Sequence, residues 1–235
     1  MSRRAVITGL GVIASVGNAV PGFWENLLAG VCGIGAITLF DVSRYRVRTA
    51  AEVKKFDPVS HFPPRRLRRM SRCDQLGIVA AREAISDSRL DVNRADRERI
   101  GIFLGGGAGG ILSAEKYRRE MLGGNPRKAK PSFLLPFAAS SVNDAIAEEY
   151  GILGPRGTIA TACSSSATAI GCGLDAIRRG DADAVIVGGS EALSEVTFGG
   201  FNSLRSVDDP YCRPFDLSRK GLSLGEGAAV LILEE

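Results

Sequence analysis

Short apolar runs alternate with amphipathic runs along most of the chain, and this alternation predicts strands and helices in turn. The strand-like runs are Ala5–Thr8, Ile100–Leu104, Thr158–Thr161, Ala184–Val187 and Ala228–Leu233. The helical patterns are Cys73–Ser86, whose apolar residues share one face, Val142–Tyr150 and Ser164–Arg179. Strands that alternate with helices predict a layered α/β domain.

The run from Ala184 is apolar at successive positions and has glycine at both ends, as expected of a central strand covered on both faces. The segments near 37–70 and 111–135 are less regular, and we interpret them as surface excursions from one domain covering 1–235. Glycine and proline interrupt the uncharged run 5–24, which favours a first strand and a glycine-rich loop over an apolar leader helix. We find no segment that resembles a membrane span.

Composition narrows the classes of protein. The 235 residues are 45% hydrophobic and 24% charged, which suits a folded domain with a substantial core. The net charge of +4 is small, so it does not favour a nucleic-acid partner. There are five cysteines without a CxxC pair and one histidine, His61. This favours a reducing, cytoplasmic compartment and no metal site.

The main candidate for chemistry is Cys163, within the sequence Thr161-Ala-Cys-Ser-Ser-Ser166 between a strand-like and a helical run. Backbone N–H groups and the helix dipole at such a junction favour a nucleophilic thiolate. The small residues that follow predict a slim, deeply buried helix. An ordinary core cysteine is the alternative interpretation, because free cysteine is among the most buried residue types. Cys172 has no activating feature and is interpreted as packing.

Two glycine-rich motifs, starting at Gly9 and Gly105, follow predicted strands. Each could indicate a dinucleotide site, and with it a cofactor-dependent reductase. The first lacks an acidic residue at the expected distance, and the second precedes a charged helix that begins near Glu115. Close packing of the backbone is the simpler interpretation.

Several ordered motifs together resemble one family. They are TACSSS at Cys163, GDADA at Gly180, GGSE at Gly188, RPFD at Arg213 and GEGA at Gly225. The chain resembles the β-ketoacyl synthases, in particular the elongating type II enzymes that act on acyl-carrier-protein substrates. This resemblance implies the N-terminal half of a thiolase-like fold, with a mixed five-stranded sheet and helices on its faces.

The resemblance also implies a reaction. Cys163 would accept an acyl group, with its backbone N–H in the oxyanion hole, and malonyl-carrier would then decarboxylate and attack the acyl-enzyme. In the family, two histidines and a lysine of the second half serve the later steps, and His61 does not match them. We therefore expect the chain to be a half that does not condense acyl groups alone. No cofactor is expected, since phosphopantetheine arrives on the carrier protein.

Further residues match positions with known roles in the family. The acyl pocket would include Ala108, Phe133, Phe198 and Phe201, with Phe133 near the pocket of a partner subunit. Packing is an equal interpretation for these residues. Ala108 is smaller than the usual aliphatic residue there and would admit bulkier chains. The segment Ser218–Leu224 departs from the family pattern, so fatty-acid, polyketide-type and specialised substrates all stay open.

The resemblance predicts an acidic acyl carrier protein as partner, held by basic residues. The docking residues would be Arg65, Arg68, Arg69, Arg127 and Lys128. A solvated charged face and RNA binding are weaker interpretations. A homodimer through Ala184–Val187 and a separate C-terminal half are also expected partners. A noncatalytic partner subunit is the alternative function, although such subunits replace the nucleophile.

Overall fold

A computed structural model describes residues 3–123 and 126–235. In chain order the strands are β1 (Val6–Ala14), β2 (Gly35–Ala36), β3 (Thr49–Ala50), β4 (Ile100–Gly105), β5 (Arg156–Ile159), β6 (Ala184–Glu191) and β7 (Gly227–Glu234). The helices are α1 (Val20–Leu28), α2 (Pro64–Leu67), α3 (Arg72–Ser88), α4 (Ile111–Leu122), α5 (Ser141–Tyr150), α6 (Ser165–Arg179) and α7 (Glu195–Ser203). The three predicted helices and five predicted strands are all present, with ends displaced by a few residues.

Five strands form one mixed sheet in the order β1-β7-β6-β4-β5. β4 runs parallel to both β5 and β6, whereas β7 is antiparallel to both β1 and β6. β6 is central, and of its residues only Glu191 is not fully buried. The predicted mixed five-stranded sheet and its central strand are confirmed. A dimer through Ala184–Val187 is not compatible with this order, because β7 and β4 already pair with both edges of β6.

Helices cover the two faces of the sheet unequally. α3 and α5 pack on one face, where Leu76 and Ile146 meet Ile186 in the largest core cluster. α6 packs on the opposite face, where Ile177 meets Val185 and Val187, because successive strand residues point to opposite sides. A capping box between Ser71 and Asp74 begins α3.

The predicted glycine-rich loop after the first strand is wrong, because Gly9 and Gly11 lie inside β1. A Cβ added at Gly9 would lie 2.2 Å from the Ala84 carbonyl oxygen, and one at Gly11 would lie 1.9 Å from that of Ala80. These glycines let the backbones of β1 and α3 approach closely. The end of the run, from Val20, begins α1 (Val20–Leu28), which the sequence did not predict.

The segment 37–70 carries part of the core as well as surface. Ile37, Phe40 and Ala50 are buried in one cluster with Leu193 and Phe198. The segment therefore supports α7 and the turn before it, although its own regular structure is short. Among the described residues, no helix is long and apolar enough to cross a bilayer.

The outer strand β1 has one protected edge and one uncovered face. On its edge, Glu83 and Asp87 of α3 accept hydrogen bonds from the backbone N–H groups of Val12 and Leu10, at 2.9 Å each. This satisfies groups that would otherwise be free to pair with another strand. On the face that α6 leaves uncovered, Leu10 is 43% exposed, and Ala229 of β7 is exposed as well.

Candidate active site

Cys163 lies in a tight turn between β5 and α6. β5 ends at Ile159, a 3₁₀ turn covers Ala162–Ser164, and α6 follows at once. Ala162 has a φ of +54°, a left-handed conformation that is unfavourable by about 1–2 kcal/mol for a residue with a Cβ. The turn exposes Cys163 at a cavity of about 910 Å³. The interpretation of Cys163 as a core cysteine is therefore wrong.

Ser165 holds the turn in place, a role that the sequence did not reveal. Its buried hydroxyl accepts a hydrogen bond from the Thr161 N–H at 2.9 Å and donates one to the Ala162 carbonyl at 2.7 Å. One side chain thus joins both residues that precede the thiol. The neighbouring Ser164 is exposed and donates its hydroxyl to the Thr161 carbonyl at 3.0 Å.

We expect Ser165→Ala to lower the free energy of unfolding by about 1–3 kcal/mol, because two hydrogen bonds of a buried hydroxyl are lost and each contributes about 0.5–1.5 kcal/mol. Ser164→Ala is the matched control and should change it by less than about 0.5 kcal/mol, since its hydroxyl is exposed. Urea unfolding of both variants tests this. Equal losses in the two variants would contradict the role given to Ser165.

α6 is slim, as predicted, but only one of its faces is buried. Gly173 allows close packing, because a Cβ there would lie 2.3 Å from a methyl carbon of Val187. On the other face, Ala167 and Gly171 are exposed. The prediction of a deeply buried helix is therefore wrong for this chain. Cys172 is half-buried within α6, and its packing role stays a prediction.

Cys73 is the fully buried cysteine of the fold. Its thiol donates to the Ser190 carbonyl at 3.3 Å, and the Ser190 hydroxyl donates to the Cys73 carbonyl at 2.8 Å. Burial raises the pKa of the Cys73 thiol far above its usual value, and the hydrogen bond to Ser190 offsets only part of that rise. Cys73 therefore remains a neutral thiol that packs α3 against β6.

Three of the four predicted pocket residues line the cavity that contains Cys163: Ala108, Phe198 and Phe201. Phe198 is completely buried beneath it. Phe133 lies elsewhere, in the turn Pro131–Phe137, with Lys116 Nζ 4.9 Å from its ring centroid. Its contact with a partner's pocket stays a prediction.

The glycine-rich motif that follows β4 forms part of the cavity wall. A Cβ at Gly105 would lie 2.4 Å from the Ser165 carbonyl carbon, so its absence brings β4 against the start of α6. Glu191, at the end of β6, accepts hydrogen bonds from the Gly107 and Ala108 N–H groups. Both contacts agree with the close-packing interpretation of this motif. Glu191 belongs to the GGSE motif, but no role was predicted for its side chain.

No histidine lines this cavity within the described part of the chain. His61 stacks on Phe56, with ring centroids 5.4 Å apart, and its carbonyl accepts from Arg82 at 3.0 Å. Across residues 3–123 and 126–235, no three His, Cys, Asp or Glu side chains are grouped to hold a metal. Glu191 and Cys163 are the only titratable side chains described at the cavity.

The arginine-rich segment divides into paired and exposed residues. Arg66 pairs with Glu149, and Arg72 pairs with Glu226 at 2.6 Å. The five residues predicted to bind a carrier are all exposed: Arg65, Arg68, Arg69, Arg127 and Lys128. Arg65 and Arg69 border a second cavity of about 680 Å³ beside α5.

Known proteins share both the sequence and the fold of this chain. The 3-oxoacyl-[acyl-carrier-protein] synthase 2 of Staphylococcus aureus (strain COL) is 38% identical over 239 residues, which cover 99% of this chain and 58% of that protein. The enzyme of the same name from Coxiella burnetii is 38% identical over 240 residues, again covering 99% and 58%. The chain therefore spans a little over half the length of these curated relatives.

Solved structures agree with the sequence relatives. The ishigamide ketosynthase/chain length factor superposes with a TM-score of 0.92 at 33% identity, covering 100% of this chain and 59% of that one. A β-ketoacyl synthase from Burkholderia phymatum gives 0.88 at 25% identity, covering 100% and 59%. The predicted thiolase-like fold class is confirmed. Because the family model for the β-ketoacyl synthase N-terminal domain also matches residues 2–235, this chain belongs to the β-ketoacyl synthase family.

Proposed function

We propose that this chain supplies the acyl-accepting cysteine of a 3-oxoacyl-[acyl-carrier-protein] synthase. The observation that carries the proposal is the position of Cys163, which is exposed on a strained turn at the amino end of α6. It borders an apolar cavity walled by Ala108, Phe198 and Phe201. An exposed thiol beside such a cavity suits transfer of an acyl chain, which needs both a nucleophile and an apolar site.

The proposed first step is transthioesterification. The Cys163 thiol releases its proton to water as its sulfur attacks the thioester carbonyl carbon of an acyl-carrier. The resulting oxyanion collapses, the bond from the carbonyl carbon to the carrier sulfur breaks, and the carrier thiolate takes up a proton from water. The N–H groups at the amino end of α6 favour the negative charge that develops there. The Cys163 backbone N–H is proposed as one oxyanion donor. No cofactor takes part, because the phosphopantetheine thiol belongs to the carrier.

Condensation requires a second step, in which malonyl-carrier loses carbon dioxide and its carbanion attacks the acyl-enzyme. Donors must then stabilise enolate charge on the malonyl thioester oxygen. The described lining of the cavity offers a carboxylate, Glu191, but no histidine or lysine. We therefore propose that the 235 residues alone stop at the acyl-enzyme and that a second half completes the site. The uncovered face of β1 and β7 would pack against that half.

The test uses the chain alone with labelled acyl-carrier and malonyl-carrier. We expect intact-mass spectrometry to find one acyl group on Cys163, and chromatography to find no ketoacyl product. Absence of acylation would contradict the proposed nucleophile. Steady formation of ketoacyl product would contradict the need for a second half.

The acyl substrate is proposed by class only. The small side chain of Ala108 leaves room for a chain bulkier than an unbranched alkyl group, and the cavity walls are mainly apolar. The relatives include both acyl-carrier-protein synthases and a ketosynthase/chain length factor. Either fatty-acid or polyketide-type synthesis is consistent with this site, in a cytoplasmic setting.

An acyl carrier protein is the proposed partner, and the exposed basic residues support it. Within the described residues, no salt bridge involves Arg65, Arg68 or Arg69, whereas neighbouring Arg66 and Arg72 are paired. Unpaired exposed arginines keep their donors available for an acidic surface. One of the solved relatives is a type II ketosynthase in complex with its acyl-carrier protein.

We expect Arg68→Glu with Arg69→Glu to weaken binding of the acyl carrier protein at least about 10-fold at low salt, because exposed charges steer and hold an acidic partner. The loss should shrink as salt rises, since exposed charges are screened. Arg94→Glu with Arg178→Glu makes the same change of net charge elsewhere. Fluorescence anisotropy with the acyl carrier protein should show weaker binding for the Arg68/Arg69 double variant than for the Arg94/Arg178 double variant. Equal losses of affinity in the two double variants would refute a specific site.

A noncatalytic partner subunit is the second candidate function. Two of the solved relatives are described with a chain length factor, so such pairing occurs among proteins of this fold. The exposed Cys163 favours the catalytic subunit, because a purely structural partner has no use for it. We also propose a homodimer, and its strand pairing would use the open edge of β5 rather than the central β6.

A further inference from the structure

Glu191 is the only charged side chain described on the lining of the Cys163 cavity. It is the last residue of β6, and the adjacent parallel strand β4 ends at Gly105. The loop that follows β4 therefore passes beside the Glu191 carboxylate. The steps of the reaction proposed above assign no role to this carboxylate.

Hydrogen bonds from this carboxylate fix the loop that follows β4. The Gly107 N–H donates to Glu191 Oε2 at 2.5 Å, and the Ala108 N–H donates to the same oxygen at 3.0 Å. The preceding N–H, of Gly106, donates to the Ile159 carbonyl at 3.1 Å. Three successive N–H groups thus have defined acceptors, and two of the three depend on Glu191.

The restraint extends from Ala108 to the start of α4. The Ile111 N–H donates to the Ala108 carbonyl at 3.2 Å, and both residues line the cavity. A charged acceptor binds N–H groups about twice as strongly as a neutral one. Loss of the carboxylate would therefore remove two restraints on the backbone of this wall, and not only a side-chain contact.

We propose that Glu191 is a positioning residue that holds the wall formed by Ala108 and Ile111, and so limits the bulk of the group that the cavity accommodates beside Cys163. This deepens the proposed function by naming a determinant of acyl-group size, and it rests on that function. The test below is independent of carrier-dependent acyl transfer.

The experiment compares alkylation of Cys163 by iodoacetamide and by the bulkier N-cyclohexyl iodoacetamide, followed by peptide mass spectrometry. In Glu191→Ala we expect the ratio of the bulky to the small rate to rise about 10-fold, a typical size for discrimination by a pocket wall. Glu191→Gln, which keeps an oxygen acceptor but no charge, should give a smaller rise. Glu191→Gln can be used alone for this test if Glu191→Ala does not fold.

The matched control is Asp208→Ala. Asp208 also accepts two backbone N–H groups, from Asp209 at 2.8 Å and Lys220 at 3.1 Å, but neither Asp208 nor these two donors line the cavity. Its ratio should stay at the wild-type value. The proposal would be overturned if the ratio of the two alkylation rates is unchanged in both Glu191 variants. This includes the case in which both rates change by the same factor. If the ratio rises but acyl-carrier never acylates Cys163, only the proposed function fails.

Discussion

Cys163→Ala is expected to abolish acylation of this chain by acyl-carrier thioesters, a loss of at least about 10³-fold. Cys163 is the only nucleophilic thiol described on the cavity lining, and the serine hydroxyls beside it have no histidine or lysine on that described lining to act as a base. Removing a nucleophile removes the covalent step itself, so the effect exceeds that of losing a single contact. Time-resolved intact-mass spectrometry with an acyl-carrier measures it directly.

Cys32 offers a matched control for this prediction. It is an exposed free cysteine like Cys163, but it lies outside the cavity and is not at the start of a helix. Cys32→Ala should leave acylation unchanged, although both thiols should react with iodoacetamide. If Cys32→Ala lowers acylation as much as Cys163→Ala does, exposure rather than position explains the reaction, and the assignment of the nucleophile is refuted.

The second large effect concerns stability, because Glu226→Ala should lower the free energy of unfolding by about 3–5 kcal/mol. The Glu226 side chain is 0% exposed and pairs with Arg72 at 2.6 Å. It also accepts from the Val53 N–H at 3.0 Å and the Leu193 N–H at 3.2 Å. Its removal leaves the partly buried Arg72 guanidinium without its carboxylate partner and two buried N–H groups without an acceptor, which explains the expected size of the loss.

Asp91→Asn is the control for the buried pair. Asp91 pairs with Arg94 at 3.3 Å, where the two side chains are 51% and 89% exposed. Exposed pairs contribute about 0–1 kcal/mol, so urea unfolding should scarcely change. A loss below about 1 kcal/mol for Glu226→Ala would show that water replaces the carboxylate beside Arg72. The carboxylate would then not be what holds the segments of Arg72, Val53 and Leu193 together.

Much of the fold could be predicted because local patterns and the final structure agree. Alternation of apolar runs predicted the five strands of the main sheet, and the uninterrupted apolar run from Ala184 predicted its central strand. The error at β1 has a tertiary cause. Gly9 and Gly11 indicate a loop when only the chain is considered, but the approach of α3 makes their missing side chains a requirement of packing.

The candidate site was predictable to different degrees. Cys163 could be identified from its motif and its strand-to-helix position, and Ala108, Phe198 and Phe201 from their match to a family. Ser165 and Glu191 could not, because their roles depend on which backbone N–H groups lie beside them. Arg66 and Arg68 are equivalent in the sequence, yet Arg66 is paired with Glu149 and Arg68 is exposed.

The sequence by itself determined the α/β class, the candidate nucleophile and the family, because periodicity and ordered motifs are properties of neighbouring residues. The tertiary structure alone decided that Cys163 is exposed and Cys73 buried, that β6 cannot form a dimer edge, and that Glu191 accepts the Gly107 and Ala108 N–H groups. Each of these depends on residues that are far apart in the chain, and burial and hydrogen bonding between them arise only when the sheet assembles.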